Sequence, residues 1–226
     1  MMSKKVTKQT EGTLFYLFFF VQVLNLMLNS VTACQLLATG LTARDREEIL
    51  HIHNKYRSAV ALGKIPNQPP AQNMQMLKWD YSLEKIAQNW ANNCQYKHNK
   101  NRHISERFYV GENIAQIWST APLNDEPFTA TIEGGWFNEY KIYKFGQAVG
   151  QSVGHYTQWV WADTSLVGCG ISYYYEERTR RYTKFYVCDY GPAGNIRGEE
   201  PYVKGKPSCN IYGMKFSKKY PGLCLS

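Results

Sequence analysis

The stretch that decides the fold is VGCGISYYY (167–175), followed after a charged turn by TKFYVCDY (183–190). Both runs are rich in β-branched and aromatic residues, with Glu176 to Arg181 between them, so they read as the two strands of a hairpin. A hairpin symmetric about residues 178 and 179 sets Cys169 directly opposite Cys188. Facing Cβ atoms in an antiparallel pair come within about 4.5–5.5 Å, close enough to invite a disulfide.

Beyond Tyr190 the chain turns rich in glycine and proline, with Lys204, Lys206, Lys215, Lys218 and Lys219 and only two cysteines, Cys209 and Cys224. Joining those two closes a loop of about 15 residues, a stabilisation of about 3 kcal/mol in the chain-entropy picture. Cys34 and Cys94 remain, and their bridge would tie an N-terminal arm to a second helix. No C-x-x-C or C-x-x-H spacing occurs, so a structural zinc knuckle is not expected.

Upstream of the hairpin the period changes to that of helices. Residues 42–63 start at a Thr42–Asp45 cap and stop at Gly63, with Ile49, Ile52, His53, Tyr56 and Val60 on one face. Pro, Gln and Asn fill the loop at 64–75, and Asp80 caps a second helix with Leu83, Ile86, Ala87, Trp90 and Cys94 inward. Residues 95–110 are polar and irregular. The spacing predicts a third helix from Phe128 to Tyr143, which places Glu139 beside Trp136, and a short helix over His155–Trp161.

The first thirty-odd residues read as an address. Lys4, Lys5 and Lys8 precede the apolar run Leu14–Leu28, and Val31-Thr32-Ala33 offers a small-residue cleavage site. That is the pattern of a secretory signal peptide over 1–33. Six cysteines, all beyond it, suit an oxidising compartment, so the expected localisation is secreted and extracellular, with no membrane span after cleavage. At 226 residues, 44% hydrophobic and 15% aromatic, the chain is neither disordered nor a polytopic membrane protein. A formal charge of +8 permits acidic partners without demanding nucleic acid.

Five segments then reach a family. They are His53-Asn54-Lys55-Tyr56-Arg57, Gly111-Glu112-Asn113-Ile114, Trp136-Phe137-Asn138-Glu139, Gly154-His155-Tyr156-Thr157-Gln158-Trp159-Val160-Trp161, and Tyr186-Val187-Cys188-Asp189-Tyr190 running on to Asn195. In this order across residues 42–200 the chain resembles the CAP superfamily of cysteine-rich secretory, antigen 5 and pathogenesis-related proteins. Within it the chain looks most like the antigen 5 (venom allergen) group of arthropod venoms and saliva. The resemblance implies an α+β fold: a three-layer α–β–α sandwich with a central antiparallel sheet. It divides the chain into a signal peptide (1–33), an arm (34–41), a CAP (SCP-like) domain (42–195) and a basic, disulfide-closed tail (196–226). Asp189 departs from the pattern, which more usually has Asn there.

The resemblance also implies a cleft lined by His53, Glu112, Glu139 and His155. Two neutral imidazoles offer nitrogen ligands for Zn²⁺ or Cu²⁺, with carboxylate or water completing the shell. The competing reading is a hydrogen-bonded cluster that only fixes the sandwich. An enzyme reading, hydrolysis or copper-dependent superoxide removal, lacks a nucleophile: Ser152 and Thr157 lie near His155 in sequence without an oxyanion-hole motif. The expectation is a monomeric secreted effector that binds an extracellular host protein or a small lipid. Tyr140, Tyr143, Phe145, Trp159 and Trp161 are the candidate lining of an apolar groove. The tail lysines, with Arg178, Arg180, Arg181 and Lys184, form a basic face that could meet acidic polysaccharide or lipid headgroups.

Overall fold

The computed structural model describes residues 34–104, 107–124, 126–148, 150 and 152–226. The expected signal peptide at 1–33 lies outside the described residues. Strand β1 (Gln35–Thr39) leads into helix α1 (Ala43–Ala61), then β2 (Lys78–Trp79), α2 (Tyr81–Ala91), β3 (His103–Ile104), β4 (Phe108–Tyr109) and β5 (Gly111–Ser119). Helix α3 (Phe128–Gly135), a 3-10 turn (Phe137–Lys141) and α4 (Gly154–Trp159) precede β6 (Leu166–Glu176) and β7 (Arg181–Gly191). A second 3-10 turn (Cys209–Tyr212), β8 (Lys215–Phe216) and β9 (Cys224–Leu225) follow.

The hairpin sets the register of everything else. β6 and β7 pair antiparallel from Leu166 opposite Gly191 to Glu176 opposite Arg181, and Cys169 faces Cys188, to which it is joined. β1 adds to the outer side of β6 and β5 to the outer side of β7, giving the order β1-β6-β7-β5. All these pairs are antiparallel; β2 pairs parallel with β6 over two residues.

Strand alternation then sorts side chains into two layers. Cys169, Cys188, Tyr186 and Tyr190 face the larger core with Ile49, Val60, Trp136 and Trp159, while Phe185, Val187, Tyr174 and Ile114 face Ala87 and Ala91 of α2. Helix α2 lies directly on β6 because Gly168 and Gly170 present no side chain there. A Cβ at either would collide with the α2 backbone near Glu84 or Gln88. The result is the α–β–α sandwich.

Helix α1 begins as its sequence reads. The Thr42 hydroxyl accepts from Asp45 N, and the Asp45 carboxylate accepts in turn from Thr42 N, a reciprocal capping box. The third helix is shorter than the predicted Phe128–Tyr143. Gly134 and Gly135 end the α-helical turn, and the chain rewinds as the 3-10 turn. Two adjacent glycines raise the cost of continuing a helix by about 1 kcal/mol each. The stretch 95–110, expected to be irregular, contains the short β3–β4 pair.

Three disulfides tie the layers: Cys34–Cys94 holds β1 beside the end of α2, Cys169–Cys188 lies within the sheet, and Cys209–Cys224 closes the tail. Arg57 is the central polar tie. It is fully buried and its guanidinium donates to the carbonyls of Gln75, Trp159, Trp161, Ala162 and Thr164.

Candidate functional site

Two imidazole–carboxylate pairs form where β5, the first 3-10 turn and α4 approach one another. Glu139 stands in the 3-10 turn, and its Oε1 lies 2.6 Å from His155 Nδ1. The other oxygen accepts from the backbone N–H groups of His155 (3.0 Å) and Tyr156 (2.9 Å). One carboxylate thus aims the His155 ring and satisfies the start of α4. Trp136 lies nearly parallel to that ring, with centroids 5.9 Å apart.

The second pair joins Glu112, on β5, to His98, in the segment after α2. Glu112 Oε1 lies 2.7 Å from His98 Nδ1 and accepts from Asn99 N at 2.9 Å. The guanidinium of Arg102 is 3.9 Å away. The Glu112 side chain is buried, while that of His98 is 54% exposed and that of His155 28%. Asn113 ties β5 to α4 through its Nδ2, which donates to His155 O at 3.0 Å.

His53 does not supply the imidazole expected of it. It is fully buried, its Nδ1 is 2.8 Å from Ile49 O, and its Nε2 is 3.0 Å from the Tyr190 hydroxyl. A carbonyl only accepts, so Nδ1 carries the hydrogen and Nε2 accepts from Tyr190. The ring stacks on Trp159 at 3.9 Å. Burial, helped by the neighbouring Arg57 charge, pulls its pKa down to about 3, against the single hydrogen bond to Ile49 that favours the charged form. A neutral ring with both nitrogens engaged is a structural tie between α1 and β7, and the place beside Glu112 belongs to His98. That residue sits in a segment without periodicity, so its spacing carried no signal. Only its position in the chain between α2 and the Gly-Glu-Asn segment could have marked it.

Both exposed imidazoles spend Nδ1 on a carboxylate, and neither Nε2 has a hydrogen-bond partner among the described residues. A histidine oriented in this way by a carboxylate is set up to ligate through Nε2. Among the described residues, however, no three of His, Cys, Asp and Glu are grouped so as to hold a metal ion. Each imidazole is thus oriented singly by its own carboxylate, Glu112 for His98 and Glu139 for His155.

The remaining candidates are accounted for by packing. Tyr143, Trp159 and Trp161 are buried in the core, so the five aromatic residues do not line a groove together. Thr157 is hydrogen-bonded through its hydroxyl to Asn195 Oδ1 (2.7 Å) and Val153 O (3.0 Å), not to an imidazole.

Comparison with known proteins places this geometry. The profile of the cysteine-rich secretory protein family (CAP) matches residues 50–190. The chain is 40% identical over 202 residues to salivary antigen-5 of Triatoma infestans, covering 82% of each protein. It is 40% identical over 172 residues to venom allergen 5 of Vespula maculifrons, covering 72% of this chain and 82% of that one. Among solved structures, BmVAL-1 superposes with a TM-score of 0.67 at 34% identity, over 81% of this chain and 95% of that one. The crystal structure of NaASP2 with Zn2+ gives a TM-score of 0.66 at 31% identity, over 82% and 97%.

Proposed function

The chain belongs to the cysteine-rich secretory protein (CAP) family and is antigen 5-like, and from that premise we propose that it is a secreted effector of the venom or saliva type whose His98 and His155 take up a divalent cation, zinc or copper. Secretion is supported by the salivary and venom relatives and by the apolar N-terminal stretch with its small-residue site. The observation that carries the metal reading is the pair of Nδ1–carboxylate bonds, 2.7 Å in one pair and 2.6 Å in the other, which leaves both Nε2 atoms for a ligand. The NaASP2 structure with Zn2+, from a relative 31% identical to this chain, supports the choice of ion.

In this reading the protein binds and does not turn over a substrate. A bound cation would supply a positive centre in the cleft. Glu112 and Glu139 would hold the two rings in place, and water would fill the positions that no side chain reaches. A Ser, Thr or Cys activated by either imidazole is absent among the described residues.

Titration calorimetry of the full secreted chain with Zn²⁺ and Cu²⁺ tests the proposal. Saturable binding is expected, lost in both His98→Ala and His155→Ala and kept in His103→Ala, an exposed neighbour. Heat of binding that persists in a His98→Ala, His155→Ala double variant removes the site, as does no binding at all.

A further inference from the structure

The last 26 residues, 201–226, carry five lysines and neither Asp, Glu nor Arg. All five lysines are exposed. Between Cys209 and Cys224 the segment leaves three large apolar side chains in solvent: Ile211 is 76% exposed, Phe216 44% and Tyr212 38%. Single exposed apolar residues are ordinary, but three on one small ordered unit amid unopposed positive charge are not.

The unit is rigid, so these side chains are not exposed by fraying. Cys209–Cys224 closes it, and β8 pairs with β9. The 3-10 turn that carries Ile211 and Tyr212 packs against β8, which carries Lys215 and Phe216. Backbone bonds fix its base to the body: Cys224 N donates to Met74 O and Met76 N to Cys224 O, both at 2.8 Å. Leu223, Tyr220 and Cys224 fill the buried side, which leaves Ile211 and Phe216 outside. The Tyr212 hydroxyl donates to Oε1 of Gln72 at the surface, 3.0 Å away, the amphipathic placement seen at lipid interfaces.

We propose that this disulfide-closed knob is an interfacial anchor that docks on anionic lipid membranes, with Lys215, Lys218 and Lys219 meeting the headgroups and Ile211, Tyr212 and Phe216 entering the acyl boundary. The charge chooses an anionic surface, and the apolar side chains choose a membrane over a polysaccharide, which would engage the lysines and leave Ile211 and Phe216 in water. The other basic region of the surface is less free to do this. At the hairpin Arg181 lies 3.6 Å over the Trp118 ring, Arg178 sits 3.7 Å from Glu176, and Lys184 donates to Asn124 O.

Co-sedimentation of the full secreted chain with vesicles tests the anchor, comparing phosphatidylcholine alone with an equal mixture of phosphatidylcholine and phosphatidylserine. Partition is expected only with the anionic vesicles. It should fall about tenfold in Ile211→Ser/Phe216→Ser, which keeps every charge, and about as much in Lys215→Gln/Lys218→Gln/Lys219→Gln. Melting temperatures should not move, because all five positions are exposed. The anchor is overturned if anionic vesicles leave the protein in the supernatant. It is equally overturned if the serine variant partitions as wild type while heparin retention follows the lysines, the signature of a polysaccharide site.

Discussion

Asp189 on β7 stands directly opposite Glu112 on β5 in the antiparallel register, and both carboxyl groups are buried. Of their four oxygens, both of Asp189 and Oε2 of Glu112 have no hydrogen-bond partner among the described residues. Burial, and then the charge of Glu112, push the Asp189 carboxyl well above the ordinary carboxylate range, against a smaller opposing pull from Arg102. Beneath the His98–Glu112 pair the fold therefore favours a protonated acid.

That raised value fixes the sign of a pH effect. The folded chain holds the Asp189 proton more tightly than the unfolded chain, so stability is lost as pH rises from the ordinary aspartate value, 3.8, towards the higher folded value. Asp189→Asn removes the ionisation and keeps the shape. It is expected to raise the melting temperature at pH 7 by the equivalent of about 1–3 kcal/mol and to change little near pH 4. Thermal unfolding across that range decides it; a variant less stable than wild type at pH 7 would mean that Asp189 is a paired, wanted charge.

His53 contributes with the opposite sign. Its pKa falls from 6.5 to about 3 on folding, so the unfolded chain takes up the proton first. Stability is lost as pH falls from about 6.5 towards 3, and at about 1.4 kcal/mol per unit the full effect is about 5 kcal/mol. His53→Gln should lower stability at pH 7, through the lost bonds to Ile49 and Tyr190, yet flatten the acid limb between pH 6.5 and 4. Urea unfolding at three pH values reads both effects. An acid limb as steep as that of wild type would assign the loss to other groups.

The legible parts of this fold are those where one local rule acts alone. The hairpin could be read with its register because β6 and β7 are equal in length about a charged turn, which also gave Cys169–Cys188. The start of α1 was readable from Thr42 and Asp45 because a capping box is a purely local device. β5 was not, since Gly111–Ile114 are all buried and the alternation that marks a half-exposed strand is missing. Glu112, Glu139 and His155 came from motifs of the family resemblance, and the structure puts Glu139 on His155. His98 was passed over because what makes it a partner of Glu112 is tertiary approach across 14 residues of chain. His53 misled because a histidine on an apolar helical face looks the same in sequence whether it lines a cleft or ties the core.

Arg57 gives a prediction about the frame that holds the site. Five carbonyls point at one buried guanidinium, and four of them belong to the stretch from Trp159, the last residue of α4, to Thr164. Lysine keeps the charge but has three donors on one nitrogen and cannot span the fork. Arg57→Lys is expected to cost about 3–5 kcal/mol, close to the penalty for leaving buried polar groups unpaired. Equilibrium unfolding in urea measures it, and a loss below about 1 kcal/mol would show that the carbonyls find other donors.

The tail disulfide should act on its own unit more than on the sandwich. Cys209 and Cys224 are separated by 15 residues, and opening that loop in a Cys209→Ser/Cys224→Ser variant should remove about 3 kcal/mol. The sheet retains Cys169–Cys188, so the loss should appear first as local opening. Lys215, Lys218 and Lys219 lie on the freed segment and would become trypsin sites under native conditions, while the sandwich core stays resistant. Mass spectrometry of a brief digest locates the cuts. If the double variant is cleaved no faster than wild type at these lysines, the bonds of Cys224 to Met74 and Met76, not the disulfide, hold the knob in place.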